Sequence, residues 1–295
     1  MNNTLLYIIT VVIWGTTWIA ISYQLGDVAA EASITYRFAL AALVLFVFCF
    51  IKKLPVKFSI AQHGIFLAFG VTLFGGNYFF LYLSQEHINS ALSSIAFSTL
   101  MLANIINARI WYKTEISKQV YLGGALGLFG IVTLFWPQIN DVQLSTATFT
   151  GLGLALLGVF LASLGNMLSI KNQKDKLPIV QSNAWGMTYG ALFMGMTVLI
   201  QGNSFTFSYT LTYISSLLYL SIFGSVIAFG CYLSLLNKIG PHKASYSSIM
   251  FPAIAVVIST VIEGFVWNSY TISGFICMIL GNIVVLAKPS VKLKQ

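Results

Sequence analysis

Ten helix-length apolar runs, joined by connections that are mostly a handful of residues long, constrain this chain more than any motif does. They extend from Thr4 to Ser22, Ala32 to Ile51, Gly64 to Leu83, Ser90 to Ile110, Gln119 to Trp136, Phe149 to Ile170, Val180 to Ile200, Leu211 to Leu236, Ala244 to Glu263 and Thr271 to Ala287. A helix needs about 20 mostly apolar residues to cross the hydrocarbon core of a bilayer. Barrel strands would be shorter and would alternate apolar with polar residues, whereas these runs are continuously apolar. The expected class is therefore an all-α membrane protein. Composition agrees, since 58% hydrophobic and only 7% charged residues leave too few charges to cover a surface in water. No basic segment precedes the first run, which reads as a retained span and not a cleaved signal.

Charge tests this count, because Lys and Arg accumulate in cytoplasmic loops. With the N-terminus inside, the inner connections hold Lys52, Lys53, Lys57, Arg109, Lys113, Lys118, Lys171, Lys174, Lys176, Lys238 and Lys243, and the tail holds Lys288, Lys292 and Lys294. Those are fourteen of the fifteen basic residues, and the outer connections hold none. A missed or invented span would have switched every later loop and mixed the two sides. Ten spans with both termini cytoplasmic follow. The net charge of +8 is thus an orientation signal, which argues against a nucleic-acid partner. Cys49, Cys231 and Cys277 all lie inside apolar runs without CxxC spacing, so neither a disulfide framework nor a metal site is expected. No cofactor is expected either.

The chain also repeats itself. Ser93-Ser94-Ile95 with Phe97 matches Ser247-Ser248-Ile249 with Phe251, Gly123 and Gly130 match Gly274 and Gly281, and Phe74-Gly75 before Tyr82-Leu83-Ser84 matches Phe223-Gly224 before Tyr232-Leu233-Ser234. The offset stays near 150 residues, which reads as a duplication of a five-span unit, residues 1–140 and 141–295, together one membrane domain. The connection before the first copy, Gln85-Glu86-His87, is acidic and outside, while its counterpart from Lys238 to Lys243 is basic and inside. The halves are inverted. Inverted repeats are a recurring construction of secondary transporters, with the substrate near the midplane where the halves meet.

Arg37, the fifteenth basic residue, lies six positions past Glu31 inside the second run, roughly 9 Å deeper along a helix. Two roles stay open. It snorkels outward to Glu31 or locks a helix pair, or its guanidinium receives a substrate carboxylate. No Asp, Glu or His lies mid-span, which disfavours export of lipophilic cations by carboxylate protonation. Asn77, Ser94, Ser98 and Ser248 supply midplane hydrogen-bonding groups, beside Thr16, Thr17, Asn104, Asn107, Asn166, Thr188, Ser225 and Ser247. Asn77 follows Gly75-Gly76, where a ligand or another backbone could come close. Trp14, Tyr78, Trp185 and Tyr189 lie deep enough to line an apolar cavity. Pro252 interrupts the ninth run and is a candidate hinge. Gly123 with Gly127 and Gly186 with Gly190 have the spacing of close helix contacts.

Ile13-Trp14-Gly15-Thr16, Tyr36-Arg37-Phe38, Glu115 before Gly123-Gly124, and Phe251-Pro252 resemble, in their order within ten spans, the EamA family of the drug/metabolite transporter superfamily. The likeness covers essentially the whole chain. It implies a ten-helix inverted-repeat fold with cytoplasmic termini, a central cavity, and export of small metabolites, often amino acids, across the bacterial inner membrane. The family motif positions map onto Trp14, Gly15, Arg37, Glu115 and Pro252. Two departures stand out: the fourth span lacks the family's proline near Ser98, and the acidic residue after the ninth span is matched only approximately, by Glu263. The reading is a multi-pass secondary transporter exporting a small neutral or zwitterionic metabolite by alternating access, not an enzyme. The alternatives are a channel-like facilitator and, less favoured for want of a mid-span nucleophile with a base, an intramembrane enzyme. The partners are the metabolite and the lipid bilayer, and oligomeric state is not legible.

Overall fold

The computed structural model describes residues 2–88, 90–113, 115–140, 145–262 and 266–286. Glu263 lies outside them. Among the described residues the chain is helical and contains no strand. In chain order the helices are α1 (Asn3–Ser22), α2 (Ala30–Ile51), α3 (Ile60–His87), α4 (Ser90–Ser98), α5 (Leu100–Tyr112), α6 (Lys118–Leu134), the short α7 (Trp136–Asn140), α8 (Thr146–Lys174), α9 (Ile179–Ile200), α10 (Leu211–Ile239), the single-turn α11 (Pro241–Ala244), α12 (Ser247–Ile262) and α13 (Ser269–Leu286). Six of them, α1, α2, α3, α8, α10 and α13, are long and apolar enough to cross a membrane, and α6 is a shorter apolar helix.

Caps explain several boundaries that hydropathy misplaces. Helix α3 begins at Ile60, four residues before the apolar run, because Ser59 and Gln62 form a reciprocal capping box with bonds of 2.8 and 3.4 Å. The α8 start is likewise capped by Ser145, whose hydroxyl accepts from the Thr148 amide. Lys53, Lys113 and Lys176 take the left-handed conformation just past α2, α5 and α8. That conformation costs a side-chain-bearing residue about 1–2 kcal/mol, partly offset where a cation sits beside the exposed carbonyls of a helix C-terminus.

Two of the long apolar helices share a local irregularity. Both α3 and α10 contain a π-helical segment, at Gly70–Gly76 and Leu220–Ile227. These positions carry the matched Phe74-Gly75 and Phe223-Gly224 pairs. A π turn widens the helix and releases a carbonyl from the regular ladder, so such segments recur at functional sites.

Packing relies on small residues. Helix α2 lies along α9, α6 along α13, α1 against α10 and α12, and α8 against α3, α4 and α5. At the α6–α13 seam, a Cβ placed on Gly123 would stand 2.7 Å from the Gly281 carbonyl, and one on Gly130 would stand 2.8 Å from the Gly274 carbonyl. The four glycines therefore pair crosswise, and two backbones meet with nothing between them. Gly75 and Gly76 also serve helix contact, since a Cβ there would meet Phe193 of α9 and Leu161 of α8 at 2.8 Å. The outward surface is apolar, with Phe50 85% and Leu122 68% exposed, as a lipid-facing surface requires.

The fourth apolar run is interrupted without a proline. Helix α4 ends at Ser98 and α5 begins at Leu100, with Thr99 folding its hydroxyl back onto the Ala96 carbonyl at 2.6 Å. Pro252, by contrast, sits inside α12, which continues through it. A proline cannot bond the carbonyl four residues earlier, which here belongs to Ser248. Ser98 of α4 lies with its hydroxyl 3.2 Å from that carbonyl, and the Ser248 hydroxyl lies 3.5 Å from the Ser98 carbonyl. The partner of Ser248 across the two helices is thus Ser98, whereas the sequence match aligns Ser248 with Ser94.

Candidate functional site

The site is assembled from α1, α3, α4, α5, α8, α10 and α12 around a small cavity of about 40 Å³. Its lining includes Trp14, Thr17, Asn77, Tyr78, Asn166, Phe229, Tyr232 and Phe251. Trp14 is the centre of an aromatic cluster: its ring lies 4.8 Å from Phe229, 5.0 Å from Tyr232 and 5.6 Å from Phe251, centroid to centroid. The indole N–H donates to the Gly224 carbonyl at 2.9 Å, inside the α10 π segment. The widened turn thus supplies the acceptor that a buried Trp needs.

Arg37 is almost completely buried, at 1% exposure. It does not snorkel to Glu31, whose carboxylate accepts from Asn203 instead. Its Nε donates to the Ser225 hydroxyl at 3.0 Å, also on the π segment, and Nη2 reaches the Tyr78 hydroxyl at 3.4 Å. The guanidinium stacks over the Tyr78 ring with Cζ 4.4 Å from its centroid. Nη1 has no hydrogen-bond partner, and among the described residues no carboxylate pairs with Arg37. Tyr78 stands between the guanidinium and the cavity. Because the Tyr78 oxygen accepts from Arg37, its own hydrogen remains available to donate.

A polar cluster adjoins the cavity. Asn166 Nδ2 lies 3.1 Å from the Tyr232 hydroxyl and 3.3 Å from Asn104 Oδ1, and Asn104 Nδ2 lies 3.5 Å from the same hydroxyl. Asn77 donates to the Leu73 carbonyl at 3.2 Å. Asn166 and Tyr232 were weak sequence signals: one asparagine among several, and one half of the matched Tyr82-Leu83-Ser84 and Tyr232-Leu233-Ser234 pair.

The structure brings Trp14, Asn77 and Tyr78 together at this cavity, with Arg37 behind Tyr78. Ser94, Ser98 and Ser248 are buried but do not line it, and the latter two bridge α4 and α12. Trp185 and Tyr189 lie elsewhere. They form a separate cluster with His63, in which the Tyr189 hydroxyl is 2.9 Å from His63 Nδ1 and the Trp185 indole donates to the Val56 carbonyl in the α2–α3 connection. Pro252 lies one residue past the cavity residue Phe251. Among the described residues no group of three His, Cys, Asp or Glu could hold a metal ion.

The model of the EamA-like transporter family matches this chain twice, over residues 2–136 and 149–287. The chain belongs to the EamA-like transporter family. Among similar proteins, "Protein PagO" of Salmonella typhimurium is 22% identical over 286 residues, covering 97% of this chain and 93% of that one. The "Probable amino-acid metabolite efflux pump" of the same organism is 21% identical, with 94% and 92% covered. The "Uncharacterized inner membrane transporter YedA" of Escherichia coli K12 is 23% identical, with 86% and 80% covered. A protein of known crystal structure superposes with a TM-score of 0.80 over 96% of both chains, a likeness of fold at 15% sequence identity. The chain is therefore a multi-pass membrane protein of a transporter family.

Proposed function

We propose that the protein exports a small neutral or zwitterionic metabolite, with aromatic amino acids as the leading class, across the bacterial inner membrane by alternating access. It does so as ten spans in two inverted five-helix halves, residues 1–140 and 141–295, with both termini cytoplasmic. The observation that carries the reading is the buried, carboxylate-free Arg37 set behind Tyr78 at an aromatic cavity shared by both halves. A substrate carboxylate accepts from Tyr78, whose hydroxyl Arg37 orients, and from the unused guanidinium donors once Tyr78 turns aside. Trp14, Phe229 and Phe251 pack around the side chain.

Several features support the inverted-repeat architecture. The π segments begin at residues 70 and 220, Ser98 and Ser248 stand 150 residues apart across the α4–α12 crossing, and the glycines of α6 and α13 pair crosswise. The α1 contacts with α10 and α12 mirror those of α8 with α3 and the α4–α5 pair. Alternating access is supported by size. A volume of about 40 Å³ has room for roughly two or three waters, far below the roughly 300 Å³ of a small-ligand pocket. Admission of a metabolite therefore requires the halves to part, and the glycine seams allow helices to slide without interlocked side chains. The amino-acid class is supported by the name of one relative and by the aromatic lining.

The test is efflux of labelled amino acids from vesicles containing the purified protein. A charged hydrogen bond of about 1.5–3 kcal/mol corresponds to a roughly 10- to 150-fold loss of transport efficiency in Arg37→Met, with Arg37→Lys intermediate. Unchanged amino-acid flux in Arg37→Met would remove the carboxylate role. Flux that never exceeds equilibration under any imposed ion gradient would favour a facilitator.

A further inference from the structure

We propose that Asn77 and Asn166 form an ammonium subsite, so that the amine end of the substrate is held by two neutral amide oxygens. This rests on the zwitterion reading above and specifies the end of the molecule that Arg37 does not address. Asn77 is 2% exposed and Asn166 is fully buried, and both line the cavity. In each side chain the NH₂ group is committed. Asn77 Nδ2 donates to the Leu73 carbonyl, which can only accept, and Asn166 Nδ2 lies between Asn104 Oδ1 and the Tyr232 hydroxyl. These partners set which way each amide is turned. The two Oδ1 atoms are left with no donor.

A buried carbonyl oxygen without a donor costs free energy, and such groups in a folded protein call for an explanation. Two of them at one cavity ask for a ligand rich in N–H groups. A primary ammonium carries three donors and no acceptor, enough for both oxygens with one to spare. The aromatic faces of Trp14, Phe229, Tyr232 and Phe251 suit a cation, whereas a second carboxylate or a hydroxyl would gain nothing from them. No acidic side chain lines the cavity among the described residues. The amine end is thus bound and released without a proton leaving a carboxylic acid, unlike the exchange used to export cations. Arg37 with Tyr78 supplies donors, and Asn77 with Asn166 supplies acceptors, a set of groups matched to a zwitterion.

The experiment measures efflux of L-phenylalanine and of 3-phenylpropionate, which keeps the ring and carboxylate but lacks the amine, from vesicles holding the full-length protein. Wild type should favour L-phenylalanine, and Asn77→Leu and Asn166→Leu should each lower the ratio of the two efficiencies about tenfold. Damage to folding lowers both rates and leaves the ratio alone, so the ratio is the readout. Asn77→Asp or Asn166→Asp should restore the ratio and make it depend on pH, because the new carboxyl group binds the amine only when ionised. If wild type carries L-phenylalanine and the ratio is unmoved in both Leu variants, the subsite is refuted while the zwitterion reading stands. If wild type carries 3-phenylpropionate but not L-phenylalanine, the zwitterion reading and the subsite fall together.

Discussion

Pro252 and Ser98 belong to different helices, yet the structure makes the contribution of one depend on the other. Pro252 has no N–H to give the Ser248 carbonyl, and the Ser98 hydroxyl stands 3.2 Å from that oxygen in a fully buried crossing. Removing the hydroxyl in Ser98→Ala strands a buried acceptor, a change that costs about 1–3 kcal/mol. The single hydroxyl hydrogen is shared with the Ser94 carbonyl at 2.9 Å, which places the effect near the lower end, about 1 kcal/mol. In Pro252→Ala the backbone N–H returns and satisfies Ser248 within α12. Ser98→Ala should then cost less than about 0.3 kcal/mol. The coupling of roughly 1 kcal/mol falls within the range measured for side chains that share a partner. Reversible unfolding of the wild type, both single variants and the double variant, in detergent micelles titrated with a denaturing detergent, closes the cycle. Equal cost of Ser98→Ala in both backgrounds would refute the idea that the proline creates the acceptor.

Other substitutions test other parts of the molecule. A Cβ on Gly130 would stand 2.8 Å from the Gly274 carbonyl and the Met278 backbone nitrogen, so Gly130→Ala should force α6 from α13 and destabilise by about 1–3 kcal/mol; unfolding within 0.5 kcal/mol of wild type would contradict this. Arg37 is a buried cation without an anion, so Arg37→Met should not lower stability even as it lowers transport, and a large loss of stability would make the arginine a structural tie. His242, in the connection between α10 and α12, has its pKa lowered below 6.5 by burial and then by Lys243. The unfolded state therefore binds the proton more readily. Stability is full above about pH 6.5 and declines as pH falls towards the depressed folded value. His242→Gln should flatten that part of the profile, measured by thermal unfolding from pH 7.5 to 5.

The ordered helices and the buried ion were legible in the chain because each answers to a local rule. A long apolar run in a bilayer must satisfy its own backbone, so it becomes a helix wherever it packs. Arg37 could be picked out because an ionised group at membrane depth is costly whichever way the helix faces. The glycines at 123, 130, 274 and 281 stood out as matched positions in the chain, and the structure pairs them crosswise, 123 with 281 and 130 with 274. The lining of the cavity was less accessible. Trp14 and Trp185 are both tryptophans deep in apolar runs, yet Trp14 meets Phe229 and Tyr232 while Trp185 meets His63 and Tyr189. Apolar patterning does not distinguish them, because a membrane helix can be apolar on its lipid face and on its packed face alike.

By itself, then, the sequence determined the helical class and the presence of one cation deep in an apolar run. Those depend on composition and order along the chain. Only the tertiary structure decided that Ser98 meets Ser248, that Arg37 turns to Tyr78 and Ser225 and not to Glu31, and that Asn77, Asn166 and Tyr232 line one cavity. Each of these is a choice of rotation and register between packed helices. Such choices are settled by backbone approach at glycines, by π turns that free single carbonyls, and by the pairing of buried polar atoms, all of which involve residues far apart in the chain.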